Sequence, residues 1–275
     1  MSLFDRITPE QWACGLPTGW AGKGLLDYHE QLPSTNSRLK ELAKQGAPEG
    51  SLCICHSQTA GRGRLQRSWL SAAGETLTFS LLLKPSIAPE HFPLCTFAAA
   101  LAVCDAVRQL CPPLEPLIKW PNDIVLEGKK CTGILSELVY DPAGNPCVVM
   151  GVGINVAQHS FPEEIARTAT SLVMAMPESG SAITPSPLPL LAAFLESMEA
   201  SMDMLSRDPA LLLAACAERS ATLKRRVNVI GREENFTGTA EAMDETGALL
   251  VRDESGSLRR VLSGDVSVRG LMGYI

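Results

Sequence analysis

LIKWPNDIVLEGKKCTGILSEL, residues 117–138, is the stretch from which the architecture can be read outward. Residues 117–120 form a short apolar run that stops at Pro121, because a residue preceding proline is pushed toward extended geometry. Beyond the break, residues 124–126 and 131–138 read as two strands around Glu127-Gly128, a two-residue hairpin signal. The run therefore predicts strand, break and hairpin. It also gathers chemistry, since Lys119, Asn122 and Asp123 fall at one strand end and Lys130 starts the next strand, from which it can return to the same cleft. A cation, an amide and a carboxylate so placed suit a phosphate with a divalent metal. The same residues also make an ordinary turn in which Asn and Asp satisfy backbone groups.

Downstream, residues 147–156 read as another strand, ending in Gly151-Val152-Gly153-Ile154-Asn155. Glycines there permit close approach of a ligand, or of a neighbouring strand, and Asn155 offers both a donor and acceptors. Upstream, residues 51–56 and 76–83 read as strands, and residues 93–110 as a buried alanine-rich helix carrying Phe97, Leu101, Val107 and Leu110. From Thr35, Leu39, Leu42 and Ala43 recur at helical spacing; Ser34 or Thr35 would cap this helix, and Gly46 with Pro48 stops it. Strands and helices interleave without regular βαβ spacing, which favours an α/β (α+β) mixed sheet over a doubly wound one.

Residues 1–27 read as an irregular arm packed by Trp12 and Trp20. Residues 174–189 read as a loop rich in Pro, Ser and Gly, followed by helices at 188–205 and 209–222. After Leu223 come short strands at 226–230, 236–243, 248–252, 258–262 and 266–269. The expectation is a large domain over residues 1–222 and a small β-barrel over 223–275, which at roughly 50 residues would lean on the larger unit.

The chain has 275 residues, 45% of them hydrophobic, and 24 basic against 30 acidic side chains give a net charge of −6. That balance disfavours a protein that coats DNA or an anionic membrane, so any anion site must be local. Nine cysteines form no CxxC pair and no Cys/His array, which argues against zinc and against a disulfide framework. They read as small buried side chains. The N-terminus lacks the basic and then apolar pattern of a signal peptide, and no apolar run approaches the ~20 residues of a spanning helix. The expected setting is reduced and cytoplasmic.

One local cationic site stands out: no acid occurs between Glu49 and Glu75, while Arg62, Arg64 and Arg67 share a loop opened by Gly61 and Gly63. Glycines let backbone N–H groups approach a guest, and each guanidinium presents a planar fork suited to carboxylate or phosphate. A solvated loop with distant acidic partners would carry the same residues. The Walker pattern fails for want of Gly-Lys-Ser/Thr, and the dinucleotide fingerprint fails at Gln66. Trp69 closes the loop, either as a core side chain or as a stacking surface for a base, worth ~1–3 kcal/mol.

Taken together and in order, the motifs resemble the biotin protein ligase family. The matching pieces are Ser34-Thr35-Asn36; Gln58 leading to Gly61-Arg62-Gly63-Arg64, then Arg67 and Trp69; Lys119 to Asp123; Lys130 with Gly133-Ile134-Leu135; Gly151 to Asn155; and Ala169-Thr170-Ser171-Leu172. The resemblance implies a class II synthetase-like mixed-sheet catalytic domain with a small C-terminal SH3-like β-barrel. It implies ATP and biotin as substrates, Mg2+, and a biotin carboxyl carrier protein domain of a carboxylase as partner. Biotin contacts would come from Ser34, Thr35, Asn36, Gln58, Arg62, Gly63, Arg64, Lys130 and Gly133. ATP contacts would come from Arg64, Arg67, Trp69, Lys119, Asn122 and Asn155. Lys130, Arg64 and Asp123 would be catalytic, with Asp123 beside the metal.

Pro33 stands where many relatives carry an acid, and Gln66 where glycine is common. The arm at 1–27 is too short for the winged helix of repressor members, so DNA binding is not expected. Monomer and homodimer both occur in the family. The competing functional readings are a lipoate-type ligase and a biotin-binding protein that does not transfer its ligand.

Overall fold

The computed structural model of the chain describes residues 8, 10–11, 16–71, 73–177, 186–231, 234–263, 267–270 and 274. Seven strands form the larger sheet: β1 (Leu26–Leu32), β2 (Leu52–Gln58), β3 (Thr76–Leu83), β4 (Leu117–Lys119), β5 (Asp123–Leu126), β6 (Lys129–Tyr140) and β7 (Pro146–Asn155). Their order is β1-β2-β3-β7-β6-β5-β4, with β1 and β2 parallel and every other pair antiparallel, so the sheet is mixed as expected. The helices are α1 (Thr35–Lys44), α2 (Leu94–Leu110), α3 (Glu163–Ala166), α4 (Leu172–Ala175), α5 (Pro187–Arg207) and α6 (Pro209–Glu218).

Side-chain alternation decides which face each helix covers. In β3, Leu77, Phe79, Leu81 and Leu83 point to one side, and in β7 Val148, Met150, Val152 and Ile154 do the same. They join the buried apolar residues of α2 and α5 in one core, where Phe79 and Phe194 meet edge to face with centroids 5.0 Å apart. Each such side chain contributes about 1.5–3 kcal/mol on burial. On the opposite face α1 covers only part of the sheet, packing Leu39, Leu42 and Ala43 onto Cys53, Leu82, Cys147 and Val149. The rest of that face carries Thr78, Ser80, Gly133, Gly151 and Gly153, too small or too polar to call for a helix. A recess is left there.

Ser34 caps α1 through its side chain, and the hairpin between β5 and β6 turns on Glu127 (φ 48°) and Gly128 (φ 77°), the left-handed pair such a turn requires. β1 corrects the reading of an irregular arm reaching to residue 27: it begins at Leu26, and its sequence LDYHEQL hides an edge strand because few of its side chains are apolar. Trp20 packs partly buried against the core, whereas Trp12 lies outside the described residues. The loop expected at 174–189 is shorter at both ends, since α4 runs to Ala175 and α5 starts at Pro187; residues 178–185 lie outside the described set. No helix among the described residues is long and apolar enough to cross a membrane. The eight described cysteines are free and buried, and burial pushes the Cys95, Cys131 and Cys216 thiols up to about 12.

The second sheet is antiparallel, with β8 (Arg226–Ile230), β9 (Asn235–Met243), β10 (Leu249–Asp253), β11 (Leu258–Val261) and β12 (Ser267–Gly270) in the order β11-β10-β9-β8-β12. The five expected strands are present, but no β11–β12 pairing closes them into a barrel among the described residues. Trp120 joins the two sheets: its Nε1 donates to the Gly247 carbonyl at 2.9 Å, and its backbone N–H donates to Thr222 Oγ1 at 3.0 Å. Gly247 sits at φ +80°, and a Cβ there would lie 2.6 Å from the Phe97 ring. The turn is thus pressed against α2. Trp120→Phe removes the indole donor and strands a buried carbonyl, so chemical denaturation should show a loss of about 1–3 kcal/mol; unchanged stability would contradict the role given to this bond.

Candidate active site

The recess is floored by the glycines of β6 and β7. Gly133 and Gly153 face each other in register, and the Trp69 ring lies over both. A Cβ on Gly153 would fall 2.4 Å from that ring, and one on Gly151 would fall 2.1 Å from Asn36 Oδ1. These glycines are there for space. Trp69 Nε1 is buried with no hydrogen-bond partner among the described residues, an arrangement that suits a ligand acceptor.

One wall is the start of α1. Thr35 donates its backbone N–H to Gln58 Oε1 at 2.8 Å and its hydroxyl to the same oxygen at 3.2 Å. Ser80 Oγ lies 2.8 Å from Thr35 Oγ1 and 2.6 Å from Asn36 Oδ1. Asn36 Nδ2 donates to Leu135 O at 3.1 Å and Glu137 Oε2 at 3.0 Å. Asn36 is therefore largely committed to the protein, and it orients its neighbours more than it offers free groups.

The arginine loop folds over this wall. Trp69 N–H donates to Gly61 O at 2.9 Å and Gly63 N–H to Arg67 O at 2.7 Å, closing a narrow hairpin-like loop. Leu65 and Gln66 both sit in the left-handed region, at φ 53° and 59°. That explains why glycine suits position 66: a side chain there costs backbone energy. Arg64 Nη1 donates to Asn122 Oδ1 at 3.0 Å, and Asn122 Nδ2 donates to Ile134 O at 2.7 Å. Burial depresses the Arg64 guanidinium, with Asp123 opposing and Arg67 adding to the effect.

The third element is the strand end. Lys130 Nζ pairs with Asp123 Oδ1 at 2.5 Å, Tyr274 donates its hydroxyl to Asp123 Oδ2, and Lys119 Nζ lies 3.7 Å from the Tyr274 ring centroid. Burial alone would raise the Asp123 carboxyl, but the Lys130 and Lys119 charges outweigh it and hold it below the usual carboxylate range. The Lys130 backbone bridges to Ala169, which explains why the Ala-Thr-Ser-Leu motif belongs with this site.

One cavity brings together Ser34, Thr35, Asn36, Gln58, Arg62, Gly63, Arg64, Arg67, Trp69, Lys119, Asn122, Asp123, Lys130 and Gly133. Among the described residues, five cationic side chains (Arg62, Arg64, Arg67, Lys119 and Lys130) line it against one carboxylate, Asp123. Asn155 stands apart from the lining: Nδ2 donates to Thr170 O at 3.0 Å and Oδ1 accepts from Gln158 at 3.2 Å. Sequence reasoning missed Tyr274, whose surroundings carry no motif, and Glu137, which reads as an ordinary strand residue. No cluster of three or more metal-ligating side chains exists among the described residues. A magnesium ion would have to be held here chiefly by phosphate and water, because the cavity's carboxylate among the described residues, Asp123, is already engaged by Lys130 and Tyr274.

Comparison with known proteins points the same way. The Biotin/lipoate A/B protein ligase family matches residues 28–155, and the Biotin protein ligase C terminal domain matches residues 222–269. The chain is 35% identical over 267 residues to the bifunctional ligase/repressor BirA of Bacillus subtilis, covering 96% of this chain and 79% of that one. It is 35% identical to the biotin–[acetyl-CoA-carboxylase] ligase of Mycobacterium tuberculosis, covering 96% of this chain and 93% of that one. The fold matches the Aquifex aeolicus biotin protein ligase in complex with biotin and ATP at a TM-score of 0.76 and 28% identity, over 90% of this chain and 99% of that one. Matched at both of its sheets and aligned along 79% and 93% of these two relatives at 35% identity, this chain belongs to the biotin protein ligase family.

Proposed function

We propose that this protein is an ATP-dependent ligase that joins biotin to ATP as biotinyl-5′-AMP and then transfers biotin to a lysine of a biotin carboxyl carrier protein domain. The observation that carries this reading is the cavity lined by five cations and one carboxylate in a chain of net charge −6. In the first step the biotin carboxylate attacks the α-phosphate of ATP and pyrophosphate leaves. In the second the carrier lysine attacks the acyl carbon and AMP leaves.

Both reactants of the first step are anions, so approach is uphill until fixed positive charge offsets it. In this reading Arg64 and Lys130 meet the carboxylate and α-phosphate, Arg67 and Lys119 take the remaining phosphates, and Asn122 holds Arg64 at its angle. Magnesium bound to ATP would supply further neutralisation, with Asp123 as its protein carboxylate. Ser34, Thr35, Gln58 and Arg62 hold biotin, Gly63 and Gly133 leave it room, and Asn36 sets the wall. Trp69 offers its face to adenine above the glycine floor. Asn155 would support the nucleotide end from beneath, through Thr170 and Gln158. In this reading the catalytic unit is residues 1–222, residues 223–275 form the accessory β domain, and the setting keeps thiols reduced, in the cytoplasm.

Incubation with biotin, ATP, magnesium and an apo carrier domain should yield a biotinylated lysine and stoichiometric pyrophosphate. Preference for lipoate in competition would transfer the reading to the lipoate branch, and biotin binding without pyrophosphate release would reduce it to a binding protein. Lys130→Met removes one preorganised cation and should lower the adenylation rate by a factor on the order of 100 or more, measured as pyrophosphate release. Asp123, held low, stays ionised far below neutrality; its stabilising contribution is present above about pH 4 and is lost as pH falls through its depressed value. Asp123→Asn should therefore scale the rate equally from about pH 6 to 9. An acid limb near neutrality that vanishes in the variant would refute that assignment.

A further inference from the structure

We infer that Glu137 is a positioning residue for the arginine loop: a carboxylate set in place by the sheet and by α1, onto which Arg62 latches when the loop covers the acyl-adenylate. The inference rests on the ligase reading and deepens it. Glu137 Oε1 lies 2.7 Å from Lys40 Nζ and 3.1 Å from Arg62 Nη2, while Oε2 accepts from Asn36 Nδ2 at 3.0 Å. Two of these three partners, Lys40 and Asn36, sit on α1 and do not depend on the loop. The carboxylate is therefore oriented before Arg62 arrives.

Charge and exposure fit that role. The Glu137 side chain is 17% exposed and Arg62 is 47% exposed, so the loop contributes the more solvated partner. Burial would raise the Glu137 carboxyl, but the Lys40 and Asn36 hydrogen bonds and the Lys40 and Arg62 charges more than offset it, leaving it low and ionised at neutral pH. The loop needs such a hold, because Leu65 and Gln66 keep it in a backbone conformation that side chains disfavour. Arg64 to Asn122 fastens its far side. Glu137 also shares Asn36 with the biotin wall, so one carboxylate sets both the wall and the flap.

The function served is retention. A mixed anhydride of biotin and AMP hydrolyses if water reaches it, and the loop must stay shut until the carrier lysine enters. The test is Glu137→Gln in the full chain, given biotin and ATP without carrier. Free biotinyl-AMP should appear about threefold to tenfold faster than from the parent, and the biotin KM should rise with kcat for adenylation little changed. Tryptic cutting at the loop arginines in the presence of biotin and ATP should rise with it. Arg62→Gln should leak as well, and the double variant should leak no more than the worse single one. Lys40→Met, which removes one of the two α1 partners but leaves Asn36 and Arg62 on the carboxylate, should leak at a rate between the parent and Glu137→Gln. Equal retention by the parent and Glu137→Gln, both forming adenylate, overturns the latch alone, as does an additive double variant. No adenylate from the parent overturns the ligase reading and the latch with it.

Discussion

Like charges resist being gathered, and this site gathers five of one sign around a recess with one acid on its walls among the described residues. Four of these cations are tethered, two by carboxylates, one by an amide and one by an aromatic face. Lys130 is paired with Asp123, Arg64 with an amide, Lys119 with an aromatic face and Arg62 with a carboxylate at the rim. Their mutual repulsion is a standing cost that an anionic guest relieves. A chain that is acidic overall can therefore recruit a vitamin acid and a nucleotide through positive charge gathered locally.

The sheet makes this arrangement cheap to hold. Two strands that are greasy on one side and small or polar on the other bury their apolar side under α2 and α5, so the recess face is free of packing duties. Thr35, Ser80 and Asn36 satisfy one another across it, as buried polar groups must. Much of the wall is thus held by hydrogen bonds that no ligand needs to make, whereas the loop is fastened through Arg62 and Arg64.

How much of this was visible in the chain alone differs by element. β3 was readable as a short apolar run and the hairpin at Glu127-Gly128 by its turn residues, both local signals, and α1 because a capping serine precedes helical spacing. The cation cluster was visible too, through motifs that lie far apart in sequence and meet only in the fold. β1 was not, since an edge strand facing solvent on several positions lacks an apolar signature. Closure of the second sheet was expected from strand count, yet count says nothing of which edges pair. Asn155 offers the right groups but spends them on Thr170 and Gln158, a choice that only tertiary packing decides. Glu137 was hidden because its meaning lies in partners from α1 and the loop, not in its own neighbourhood.

The glycine floor has a consequence for how such a protein can change. At positions 133, 151 and 153 the information is the missing atom, and each absence is matched to a large or branched neighbour, Trp69 or Asn36. An alanine arriving alone at 153 would evict the indole, and a smaller residue arriving alone at 69 would leave a hole. New ligand preferences at 151 and 153 are therefore reached more readily by reciprocal exchanges of bulk between floor and neighbour than by single replacements.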